Sequence, residues 1–159
     1  MRTRKQEEIV IYTLGTSQRS LEEFLEILAF YRIEQVADVR SFPSSRRYPH
    51  FCREELAQAL AAAGIRYLWL GKELGGFRKE GYEAYTRTGA FQEGLEKLLS
   101  LARQATTAII CAEKLPWRCH RRFIARALEE RGVRVLHVLE RGKLWEPKKN
   151  PSLGLMFPS

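Results

Sequence analysis

One stretch, Cys111-Ala112-Glu113-Lys114-Leu115-Pro116-Trp117-Arg118-Cys119-His120-Arg121-Arg122, gathers two thiols, an imidazole and five charged groups within twelve residues. It leaves an apolar run and reads as entering a helix near Pro116 to Cys119, where free backbone N–H groups favour an anion. Arg118, Arg121 and Arg122 add positive charge, which lowers a thiol pKa and makes thiolate available. Cys119 is therefore a candidate nucleophile. Cys111, at the end of the apolar run, is also a candidate, with packing as the competing role because buried cysteine behaves as a small hydrophobe. His120 suits a general base or a phosphate-binding donor, or else an imidazole satisfied by a backbone carbonyl. The spacing Cys111-x7-Cys119-His120 matches no common zinc pattern, and there is no Cys-x-x-Cys pair. Neither a metal nor another cofactor is indicated.

A second group lies in the loop Phe42-Pro43-Ser44-Ser45-Arg46-Arg47-Tyr48-Pro49-His50-Phe51. Basic, hydroxyl and aromatic residues interleave there, a mixture able to hold a phosphate while stacking on a base. The competing reading is that prolines and aromatics only pin a long loop to the surface. Further polar residues stand at three strand exits: Thr13 and Ser17 at the first, Asp38 and Arg40 at the second, Glu113 and Lys114 at the third. In a parallel sheet these exits share one rim, so the side chains can converge. Exits also turn polar simply because loops are solvated. Asp38 is the sole aspartate of the chain, and the commoner fate of such a residue is to cap a turn.

The elements that must position these groups alternate. A β-rich run over 9–14 closes at Gly15, and Ser20-x-x-Glu23 is a capping box opening a helix with Leu21, Phe24, Leu25, Leu28 and Tyr31 on one face. A strand over 36–40, a helix with Leu56, Ala59, Leu60 and Ala63, and a short strand over 65–70 follow. Residues 71–88, with Gly75-Gly76, read as a functional loop able to hold a short helix. A helix through Phe91 to Ala102, a buried-type strand over 106–111, a helix around Phe123 to Leu128 and a strand over 133–139 complete the pattern. The expected fold is α/β: a mainly parallel sheet of about five strands with helices on both faces, because right-handed crossovers lay helices against such a sheet. The expected organisation is one domain over 1–159, with a core at about 9–140 and an irregular tail over 141–159.

Composition narrows the partners. The 159 residues carry a net charge of +8, with 45% hydrophobic and 29% charged residues, the balance of a folded globular chain. Much of the positive charge is arginine, whose planar fork binds phosphate or carboxylate through paired hydrogen bonds. An anionic partner is the expectation, with nucleic acid or a nucleotide as one form of it. Three cysteines in no regular framework argue against a secreted disulfide scaffold. No apolar run approaches the roughly 18–20 residues needed to span a bilayer, and the first residues lack a hydrophobic signal core. A cytoplasmic chain without a membrane partner is expected. Abundant Arg and Glu, with single Asp and Asn residues, resemble a thermophile's usage. Oligomeric state is not legible.

The ordered set Tyr12 to Ser17, Asp38 to Arg47, Leu74-Gly75-Gly76, Cys111 to Lys114 and Cys119-His120-Arg121 resembles the prokaryotic family catalogued as domain of unknown function 488, over about residues 9–140. The family supplies no activity. Its members often carry histidine in the first motif where this chain has Thr16, so a role needing that imidazole does not carry over. A fold-level likeness to rhodanese-type sulfurtransferases and cysteine phosphatases rests on Asp38-Val39-Arg40 preceding a strand that ends at Cys111. The loop after Cys111 lacks their compact glycine-and-arginine cradle. Three functions follow as expectations: binding or processing of a phosphate-bearing anion by Thr13, Ser17, Arg40, Arg46, Arg47, Glu113, Lys114, Arg118 and Arg121; thiol-dependent transfer or hydrolysis by Cys119 or Cys111 with His120 and Asp38; or a protein interaction module using the aromatic loops from Phe42 and Phe77.

Overall fold

Four runs of β-branched and apolar residues are buried on both faces, the signature of strands inside a parallel sheet, and the computed structural model, which describes residues 8–147, assembles them in that way. The strands are β1 (Val10–Gly15), β2 (Gln35–Asp38), β3 (Arg66–Trp69), β4 (Thr107–Cys111), β5 (Arg134–Glu140) and β6 (Lys143–Trp145), in the order β3-β2-β4-β1-β5-β6. β1 to β5 are parallel, and β6 pairs antiparallel with β5. The sheet thus has six strands where about five were expected. The extra one falls in the segment read as irregular: after β5 the chain reverses at Gly142, whose φ of +80° suits glycine, and returns for three residues. The rest of the expected tail, from 148 onward, lies outside the described residues.

Neighbouring residues on each strand feed opposite layers. Ala37, Ile109 and Val135 pack with Leu95, Leu98, Ile124 and Leu128, whereas Val36, Ile110 and Val138 pack with Phe24, Leu28, Leu56 and Leu60. One face is therefore covered by α1 (Leu21–Phe30) and α2 (Arg53–Ala62), the other by α5 (Gly89–Gln104) and α6 (Arg121–Glu130). The Ser20 half of the expected capping box forms, its hydroxyl accepting from Glu23 N at 3.0 Å, while the Glu23 carboxylate pairs with Arg19 at 3.2 Å. The long loop after β3 holds two one-turn helices, α3 (Gly71–Leu74) and α4 (Tyr82–Tyr85). Among the described residues no helix is long and apolar enough to cross a membrane.

Register decides where the site lies. Gly15 is opposite Cys111 and Asp38 is opposite Ile110, so three adjacent strands end within one residue of each other. Gly15 is required there, since a Cβ would stand 2.0 Å from the carbonyl oxygen of Glu113.

Candidate active site

The path from β4 to α6 is a hairpin of backbone held by side chains from elsewhere. Thr16 N donates to Cys111 O at 2.7 Å and Ser17 N to Ala112 O at 2.9 Å, anchoring the exit of β4 to that of β1. The chain then makes a 3₁₀ turn over Pro116–Arg118, and Cys119 is extended. The helix expected from Pro116 to Cys119 begins instead at Arg121, because extended backbone at Cys119 separates the tight turn from α6. Arg121, fully buried, reaches back and donates to Glu113 O at 2.6 Å, Lys114 O at 3.1 Å and Thr13 Oγ1 at 2.6 Å. It supplies donors to the turn's carbonyls, of which Glu113 O otherwise has, among the described residues, only the Cys111 thiol at 3.5 Å.

This fold-back sets Cys119 Sγ 2.7 Å from Cys111 Sγ, with both cysteines in the free state. The Cys119 pKa falls from 9.0 to about 4, chiefly through the hydrogen bond from the Cys111 thiol, aided by His120 and the Arg121 charge and opposed by burial. Burial and that same bond push the Cys111 thiol well up. The two shifts are opposed, so the anion is favoured on Cys119 and the proton on Cys111. His120 Nε2 lies 3.0 Å from Val39 O; a carbonyl only accepts, so this nitrogen carries a proton, and Nδ1 faces Cys119 Sγ at 3.5 Å. The imidazole rests against the Tyr82 ring at 5.1 Å, and Gly76 passes so close that a Cβ would meet Nδ1 at 2.6 Å. Gly76 thus lets the loop pass directly against His120.

The buried Cys111 and Cys119 and the half-buried His120 border a cleft of about 710 Å³ that Ser17, Arg40, Arg47, Glu113 and Arg118 also line. Other expected residues fall elsewhere. Asp38, fully buried, lies behind the cleft: its carboxylate accepts from Arg40 N, Nε and Nη2 and from Tyr67 Oη at 2.5 Å. It positions Arg40, which also donates to Phe51 O at 2.8 Å. Thr13 is buried between Arg121 and His137, whose Nδ1 lies 2.6 Å from Thr13 Oγ1. Burial, with help from Arg121, depresses the His137 pKa to about 3. Lys114 pairs at 2.5 Å with Glu140 on the adjoining surface. Arg46 is exposed in its loop and does not line the cleft.

Several contributors escaped sequence reading. Tyr67 and Tyr82 act across strand and loop boundaries that local patterns do not reveal. Arg19, almost fully buried, donates to Gly15 O at 2.8 Å and Leu139 O at 2.8 Å, tying the ends of β1 and β5. Among the described residues no group of three or more His, Cys, Asp or Glu side chains is placed to hold a metal ion.

The family model described as Domain of unknown function DUF488 matches residues 20–128. No curated protein and no solved structure matches the chain. The matched span holds Asp38, Arg40, Gly76 and both cysteines of the cleft, while Thr13 to Ser17 precede it. On this match, which covers more than half of its length, the chain belongs to the DUF488 family.

Proposed function

We propose that the chain is a thiol-dependent transferase or hydrolase acting on a phosphate-bearing anion, with Cys119 as the nucleophile. The carrying observation is the contact of Cys119 Sγ with the Cys111 thiol, 2.7 Å away, at the floor of an open cleft. A cysteine that only packed would not need a neighbouring thiol, a facing imidazole and the Arg121 backbone N–H, 3.4 Å away, around its sulfur. Arg121 adds to this: among the described residues no carboxylate pairs with its guanidinium, and its charge helps to lower the Cys119 pKa. At the cleft wall, Arg47 and Arg118 are exposed and form no ion pair among the described residues, which suits them to an incoming anion. The thiolate attacks an electrophilic centre beside that anion, the bond from that centre to its leaving group breaks and the leaving group departs with a proton from solvent; water or another acceptor then attacks the thio-intermediate and the bond to sulfur breaks, returning the Cys119 thiolate.

A nucleotide or single-stranded nucleic acid is the form of anion favoured by Phe42 and Phe77, 71% and 78% exposed, whose rings meet at 5.8 Å on the cleft wall. Exposed aromatic faces beside arginine offer a stacking platform for a base.

Iodoacetamide kinetics test the reading. Labelling of Cys119 is expected to vary little between pH 6 and 9, while labelling of Cys52 rises with pH, and inorganic phosphate should slow the Cys119 reaction by occupying the cleft. Labelling of Cys119 only after unfolding, or at a rate that phosphate leaves unchanged, contradicts the proposal.

A further inference from the structure

The contact between the two sulfurs has a capacity that nucleophilic catalysis does not call for. A hydroxyl or an N–H would serve as donor to the Cys119 thiolate; a thiol is a donor that can also become covalently bonded to it. Cys111 Sγ stands 2.7 Å from Cys119 Sγ, against about 2.05 Å for a disulfide, so bond formation needs only a small approach of two side chains. Both cysteines are among the residues that line the cleft, Cys119 at 9% exposure and Cys111 at 2%, so a small oxidant reaches Cys119 first. The third thiol is separate: Cys52 Sγ accepts from Ser45 N at 3.3 Å in the 42–51 loop region.

We infer that Cys111 and Cys119 form a reversible disulfide in response to a hydroperoxide, with Cys119 the sulfur first oxidised and Cys111 the resolving sulfur. The Cys119 thiolate attacks the terminal peroxide oxygen, the O–O bond breaks, and the departing oxygen leaves as water or alcohol after taking a proton. Cys119 is then a sulfenic acid. The Cys111 sulfur attacks it, the S–O bond breaks, and the Cys111 proton leaves with the hydroxide as water. Two thiols lose two electrons in total, and the peroxide gains them. The first step also prepares the second: oxidation removes the negative charge that held the proton on Cys111. A dithiol reductant restores the pair by exchange. Because oxidation consumes Cys119, the disulfide would silence the thiol chemistry proposed above, yet its formation requires no substrate.

The full-length protein is treated with hydrogen peroxide, unfolded in the presence of an alkylating reagent and digested. Trypsin cuts after Lys114 and Arg118, so Cys111 and Cys119 fall on different peptides. The expected product is a peptide pair joined through these two cysteines, lost on treatment with dithiothreitol, with Cys52 alkylated throughout. In Cys111→Ser, a sulfenic acid at Cys119 should be trapped by a 1,3-diketone that labels the wild type far less. Both thiols remaining alkylatable after peroxide would overturn the inference, as would Cys119 gaining two oxygens while Cys111 stays free. The wild-type peptide map decides the matter even if the variant does not fold. No substrate or phosphate enters this assay and no oxidant enters the labelling assay above, so the two proposals fail separately.

Discussion

Arg40 and Arg121 are both buried at the same end of the sheet, and their charges are answered in different ways. Arg40 meets Asp38 in a paired-fork contact, Nη2 to Oδ2 at 2.7 Å and Nε to Oδ1 at 2.9 Å, with Tyr67 closing the carboxylate. Burial disfavours the Arg40 charge, but the Asp38 hydrogen bonds outweigh it and its pKa rises. Arg121 has hydroxyl and carbonyl acceptors, an unpartnered buried Nε and no carboxylate among the described residues. Under the proposed function the anion that answers it is the Cys119 thiolate, whose pKa the Arg121 charge helps to lower and which protonation or oxidation can remove. The difference sets a permanent ion pair that shapes the cleft beside a buried guanidinium held by neutral acceptors, which the proposed thiol chemistry would use.

The sharpest way to break this comparison is to remove the Arg121 guanidinium. Arg121→Met should cost about 3–5 kcal/mol in urea unfolding, the range for removing one partner of a buried charge pair. It also frees the carbonyls of Glu113 and Lys114 and the Thr13 hydroxyl. A cost below about 1 kcal/mol, typical of a surface pair, would show that Arg121 is not balanced in this way.

A smaller effect separates the two regions by pH. The Cys119 pKa is depressed from 9.0 to about 4, so the unfolded chain binds a proton there that the folded chain does not. Its contribution to stability is fully present above pH 9 and is lost as pH falls toward 4. His137, depressed from 6.5 to about 3, acts in the same direction at lower pH. Wild-type stability should therefore decline on acidification from pH 9, and Cys119→Ser should flatten the curve between pH 9 and 6.5 while keeping the decline below it. An identical slope in both proteins would remove the thiolate from the account.

Sequence reading reached these two regions unequally. Alternating elements and polar strand exits were legible because period and turn chemistry are local, and the parallel register then brings Asp38, Gly15 and Cys111 to one edge. The Asp38–Arg40 contact was within reach, since residues i and i+2 of an extended segment share a side; that Asp38 faces inward depends on Tyr67, one strand away. The Cys111–Cys119 contact was not legible. It depends on a fold-back fixed by Arg121 through loop carbonyls and a β1 hydroxyl, and no spacing rule encodes that. β6 was too short for its alternation to register.

The central claim is that Cys119 is a thiolate at neutral pH. Ultraviolet thiolate absorbance, titrated in the folded wild type and in Cys119→Ser, isolates that sulfur by difference. A difference signal that rises near pH 4 and is complete by neutrality is the result predicted; a difference that emerges only near pH 9, as for an ordinary thiol, would contradict it.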